Sequence, residues 1–175
     1  MAYHISKTNA KNTEYYELTA DIDLDEAWWS PMNDVEVKFG GSFAGVFDGH
    51  SFTIHNLHID WESKYTEEAN FGLFSIIEGV SNTKYAVVRN LVIDSADVTK
   101  SANTTLPAKR YVGILAGTIK KYSQIENVIV RKSGITASET KSSQNCMILL
   151  VGGLAVKIND SANDYQFLNI STDVN

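Results

Sequence analysis

The chain has 175 residues, of which 43% are hydrophobic and 21% charged, with a formal net charge of −6. That length and balance suit one globular domain with a sizeable core and exclude an intrinsically disordered chain. Scattered basic residues on an acidic chain exclude a nucleic-acid backbone as partner, and no apolar run reaches the roughly 20 residues that span a bilayer, so membrane insertion is not expected.

Residues 1–14 read as a polar N-terminal lead, and its start, MAYHISKTNAKN, lacks the cationic-then-apolar order of a secretion signal. From Tyr15 onward the apolar segments are short, rich in Val, Ile and aromatics, and punctuated by Gly, Asn, Asp and Ser, which is the pattern of strands. In chain order they are YELTADIDL (16–24), FTIHNLHI (52–59), AVVRNLVI (86–93), YVGILAGTI (111–119), IENVIV (125–130) and MILLVGGLAV (147–156). The best helix candidate, YTEEANFGLFSIIEG (65–79), is interrupted by Gly72 and holds no 3.6-residue period. A single cysteine, Cys146, permits no internal disulfide, and its apolar setting in CMILLV reads as a buried thiol.

Two marks recur along these segments. The first is apolar-x-Asn-apolar at Asn56, Asn90, Asn127 and Asn169, with spacings of 34, 37 and 42 residues. The second is Gly followed by apolar residues at Gly72, Gly113 and Gly152, spaced 41 and 39 residues apart. The marks alternate, and repetition at this period indicates a solenoid, a propeller or an array. A propeller blade needs hairpins, yet Asp48-Gly49 is the one strong hairpin dipeptide. A closed ring also tolerates drifting spacings poorly, whereas a solenoid bulges the extra residues out at a corner. The expected fold is therefore all-β: a right-handed parallel β-helix over 15–175, with about two coils of roughly 20 residues in each 34–42-residue repeat.

On this reading Phe52 and Ile54 point inward, and so must Leu57 and Ile59, which breaks strict alternation between them. A bend at Asn56 restores the phase, because Asn tolerates unusual backbone angles and bonds locally through its amide. Stacked Asn side chains are expected to bond to one another along the axis. Gly72, Gly113 and Gly152 then serve another corner, where neighbouring coils leave no room for a side chain.

The order of motifs resembles the GLUG-repeat proteins across nearly the whole chain, from about Tyr15 to Ile170. The residues that carry the resemblance are YYELTADIDL, GVFDG (Gly45–Gly49), IHNL (Ile54–Leu57), NFGLF, VRNLVI, VGILAG and IENVIV. Departures are His50 where the family usually has Asn, Ser51 where it usually has Gly, and Ile114-Leu115 before Ala116-Gly117. The resemblance implies a right-handed parallel β-helix within large bacterial surface proteins, including adhesins and the non-catalytic region of IgA-cleaving metalloproteases. It implies no catalytic residue.

Several constellations invite chemistry. His50, His55 and His58 are close in sequence, but the Asn56 bend should splay the latter two and His50 falls in a turn, so no convergent metal set is expected. Asp21 and Asp23 share a strand face about 7 Å apart. They read as the charged outer face of the first coil rather than as a hydrolytic or calcium-binding pair. The outward column before the recurrent Asn, namely His55, Arg89, Glu126 and Leu168, changes character at each step and offers no catalytic row. Among aromatics, Trp28 or Trp29 suits an end cap, while Trp61, Tyr65 and Tyr111 are the candidates for a binding platform.

The expected function is a rigid repeat segment of a bacterial cell-surface or secreted adhesion protein, with a host or cell-surface glycan or protein as possible partner. It is expected to be no enzyme and to need no cofactor or metal. The other readings are a non-catalytic accessory module of a secreted protease or polysaccharide-degrading enzyme, and a phage-fibre component. FLNISTDVN carries the fourth Asn mark and no polar cap, so the final coil is expected to be covered by more of a longer chain or by another copy.

Overall fold

The computed structural model describes residues 13–25, 42–60, 69–99, 110–136, 149–152, 155–158, 165–168 and 171–174. Sixteen strands run through them, with no helix among the described residues. The first five are β1 (Tyr15–Glu17), β2 (Ile22–Asp23), β3 (Val46–Asp48), β4 (Thr53–His55) and β5 (His58–Asp60). Then come β6 (Ala69–Phe71), β7 (Phe74–Ile77), β8 (Ala86–Asp94), β9 (Asp97–Thr99), β10 (Arg110–Gly113), β11 (Ala116–Ile119) and β12 (Ser123–Thr136). The last four are β13 (Leu149–Gly152), β14 (Ala155–Ile158), β15 (Tyr165–Leu168) and β16 (Ser171–Val174).

Every pairing between these strands is parallel. A ten-stranded sheet is built around the adjacent β3, β8 and β12, and two three-stranded sheets run β6-β10-β13 and β7-β11-β14. In all three, a strand lies beside its counterpart from the next repeat. Asp48 faces Arg89, 41 residues on, and Asp94 faces Arg131, 37 residues on. The step from one row to the next is thus a whole repeat, not the half repeat of about 20 residues expected from the sequence. The reason is that both marks lie on the same row: the Asn corners sit on the long strands, and the Gly segment links the two smaller sheets.

Burial along β8 and β12 shows how a strand-like sequence turns corners. In β8, Ala86 and Val88 are buried, then Leu91 and Ile93, so the inward parity switches at Asn90. In β12, Ser123 and Ile125 are buried, then Val128 and Val130, with the switch at Asn127. Both residues have a left-handed backbone, φ 51° and 50°. That conformation is cheap for Asn and costs most other side chains roughly 1–2 kcal/mol. The expected phase-restoring bend is present at Asn56 too, with φ 56°.

Asn56 nevertheless belongs to a different corner. His55 pairs with Asp94 and His58 with Asp97, so Asn56 stands beside Ser95 and, through it, Lys132. Ser95 and Lys132 are also left-handed, φ 59° and 49°, and parity switches there again, to Ala96 and Ser133. Each repeat therefore bends twice, and the single Asn column of the sequence reading splits into two. Beneath Asn90 the chain carries extra residues between Asp48 and Thr53, with His50 and Ser51 both at positive φ. Asn or Gly would adopt this backbone at lower cost than His and Ser do.

The glycine mark holds its register. Gly113 pairs with Gly152, and Val112 pairs with Phe71, which sets Gly72 beside Gly113. Crowding, not φ, demands glycine here: a Cβ on Gly72 would lie 2.7 Å from the carbonyl oxygen of Gly113 and 2.8 Å from the Ala116 Cα. Apolar side chains from all three sheets form one core cluster. Phe43 and Phe74 stack at 4.8 Å, Phe47 meets Phe74 edge-on at 5.6 Å, and Leu57, Leu73, Leu91, Ile93 and Ile114 are fully buried around them. Burying one such side chain stabilises by about 1.5–3 kcal/mol.

Candidate functional site

The two corners carry the densest polar geometry among the described residues. β3 delivers Asp48 to the first corner, where it is 4% exposed. Its Oδ1 accepts the His50 backbone N–H at 2.9 Å and Asn90 Nδ2 at 3.1 Å, and its Oδ2 accepts Arg89 Nε at 2.7 Å. Asn90 Oδ1 then accepts Asn127 Nδ2 at 3.0 Å. An Asp-Asn-Asn ladder thus ties three successive repeats, and its Asn-to-Asn step is the axial bond expected from the sequence.

The second corner repeats the device with different residues. Asp94, 5% exposed, accepts Ser95 Oγ at 3.0 Å and Arg131 Nε at 2.9 Å. Two rows earlier, Asp23 Oδ1 accepts the Asp25 N–H and Asn56 Nδ2, both at 2.9 Å. The rows therefore run Glu17, Asp48, Arg89 and Glu126 at one corner, and Asp23, His55, Asp94 and Arg131 at the other. His55 leaves the column in which the sequence reading put it. Asp94 and Arg131 each stand four residues past Asn90 and Asn127, so aligning those two Asn already sets them side by side, whereas Asp48 meets Arg89 only through the 41-residue register of β3 and β8.

Electrostatics show what these carboxylates do. Burial pushes the Asp48 carboxyl up, but the His50 N–H, the Asn90 amide and the Arg89 guanidinium outweigh it and hold the group below the usual carboxylate range. Burial likewise opposes ionisation of Asp94, and Ser95, Arg131 and Lys132 overcome it. Asp23 is lowered by the Asp25 N–H first and then by Asn56, against a smaller burial effect. Such groups stay ionised at neutral pH and accept bonds in that form, which suits staples rather than general acids. A bond to a charged group contributes about 1.5–3 kcal/mol, nearer the low end here because the guanidinium sides are 41% and 48% exposed.

The other candidates from the sequence separate. His50 Nε2 lies 3.2 Å from Glu17, His58 Nδ1 lies 3.4 Å from Asp97, and His55 stands opposite Asp94. Among the described residues no group of three or more His, Cys, Asp or Glu is arranged to hold a metal ion. Asp21 accepts the Thr53 N–H at 2.7 Å, so Asp21 and Asp23 both fasten one row to the next. Tyr111 is not an exposed platform: it lies inside β10, pairs in register with Asn70 and Leu150, and is 5% exposed. Trp28, Trp29, Trp61, Tyr65, Cys146 and Asn169 lie outside the described residues.

Aromatics that the sequence reading passed over reach the surface instead. Tyr15 is 53% exposed, and Tyr85 and Tyr122 are half-buried with ring centroids 6.2 Å apart. A signal for the latter pair was present in the sequence: Lys-Tyr precedes the recurrent Asn by the same interval in Lys84-Tyr85 and Lys121-Tyr122. No protein-family model, curated protein or solved structure matches the chain.

Proposed function

We propose that this chain is a rigid parallel β-helical repeat segment of a GLUG-type bacterial surface or secreted adhesion protein, serving as scaffold and binding face without catalysis. The observation that carries the reading is the common register. Three separate sheets all step by one repeat of about 40 residues, with left-handed corners and the glycine row in line. A chain that winds once per repeat satisfies all three sheets together, and the strong preference for right-handed crossovers sets its hand. The buried carboxylates support the non-catalytic part, since their oxygens already accept bonds from neighbouring rows.

The test is a panel of surface glycans and host matrix proteins presented to the immobilised chain, followed by analysis of the ligand for cleavage products. Retention without product is the expected result. Release of cut glycan or peptide by the purified chain would refute the non-catalytic reading.

A further inference from the structure

The row just before β8 and β12 holds a feature that the scaffold does not need. Tyr85 and Tyr122 occupy equivalent places, because Ala86 pairs with Ser123 and the Ala86 N–H bonds the Tyr122 carbonyl at 2.9 Å. Their rings meet edge to face at 80°, both half-buried, and Lys121 Nζ stands 5.4 Å from the Tyr122 ring centroid. Lys84 and Lys121 are exposed immediately before the two tyrosines, Lys120 follows β11, and Val80 is 46% exposed at the neighbouring turn. Lys120 pairs with Glu78 at 3.6 Å. On a chain of net charge −6, this is a local cationic strip with aromatic faces.

Tyr122 is also held in an unusual backbone, φ 60°. The other non-glycine residues at positive φ among the described ones are Asp, His, Ser, Asn and Lys, so Tyr122 is the bulky aromatic of that set. Asn or Gly would meet the backbone requirement with less strain. Gly79 packs against this backbone, where an added Cβ would meet the Tyr122 carbonyl oxygen and lie 2.9 Å from the Ala86 nitrogen. Strained backbone of this kind clusters at functional sites, which makes Tyr122 a candidate position.

We infer that the Tyr85–Tyr122 strip, with Lys84 and Lys121, binds an acidic oligosaccharide rich in hexuronate, its chain running from one repeat to the next. Half-exposed tyrosine rings offer apolar faces to the C–H side of a pyranose and hydroxyls to its edge. A uronate carries its one charge at the ring edge and leaves that face bare, in keeping with a strip of few cations. One exposed lysine in each of two adjacent repeats matches a polymer that carries one charge per sugar. This inference rests on the binding-face reading above and names its ligand class and place.

The experiment is calorimetric titration of the full chain with oligogalacturonate, alongside a neutral cello-oligosaccharide, a heparin oligosaccharide and a single-stranded oligonucleotide. Oligogalacturonate should bind best, and more weakly as salt rises. Tyr122→Asn should keep or raise the Tm while weakening binding at least about tenfold, and Tyr85→Ala and Lys121→Gln should each weaken it as well. Equal or tighter binding of the neutral, sulfated or nucleic-acid probe, or no binding of oligogalacturonate, overturns the inference. So does a Tyr122→Asn chain that binds like wild type or melts earlier, since the ring would then be idle or structural. Uncut glycan retained on the panel by a Tyr122→Asn chain as well as by wild type would sink this inference and leave the binding-face reading standing.

Discussion

Replacing Asn90 tests the corner ladder most directly. Asn90 combines a left-handed backbone with two side-chain bonds, one to the buried Asp48 and one from Asn127. The bond to the carboxylate is of the charged class, about 1.5–3 kcal/mol, and the amide–amide bond contributes about 0.5–1.5 kcal/mol. A Leu there adds roughly 1–2 kcal/mol of backbone strain, while Gly adds none. Asp48 keeps its His50 and Arg89 donors, so the losses do not sum fully. Asn90→Leu should therefore cost about 3 kcal/mol and Asn90→Gly about 1–2 kcal/mol. In urea unfolding followed by circular dichroism, with m near 2 kcal/mol/M, the Leu variant should lose roughly 1.5 M in midpoint at unchanged m. Both variants within about 0.5 kcal/mol of wild type, or Gly costing more than Leu, would refute the argument that backbone and ladder act together.

Acid should unfold the protein through the corners. Asp23, Asp48 and Asp94 bind fewer protons folded than unfolded, so the stability they contribute is complete above their ordinary carboxylate pKa and is lost as pH falls through the lowered folded values. Urea midpoints should be level near neutrality and fall below about pH 4, and Asp48→Asn should flatten that fall; a midpoint independent of pH down to 2 would contradict it. Gly72→Val should destabilise by more than about 2 kcal/mol, since its first atom already meets the Gly113 carbonyl and the Ala116 backbone; an unchanged Tm would show that the rows have slack. Adding EDTA should leave the Tm unchanged, and a large drop restored by calcium or zinc would show that the carboxylates hold a cation.

Period-2 alternation interrupted at Asn, and Gly recurring ahead of apolar runs, were enough to read strands, repeat length and the need for a bend. Asn56, Asn90 and Asn127 announce left-handed backbone by their own chemistry, and Gly72 announces close approach by lacking a side chain. Those are local properties, so one strand's residues suffice to reveal them. Which Asn faces which is not local. Asn56 follows His55, which pairs with Asp94 at the second corner, and only pairing across rows shows that its neighbour is Ser95 and not Asn90. Ser95 and Lys132 have little intrinsic preference for positive φ, and the parallel pairing before and after them imposes it. The Asp48–Arg89 and Asp94–Arg131 staples follow from the same register, since opposite charges meet only where distant residues are set side by side.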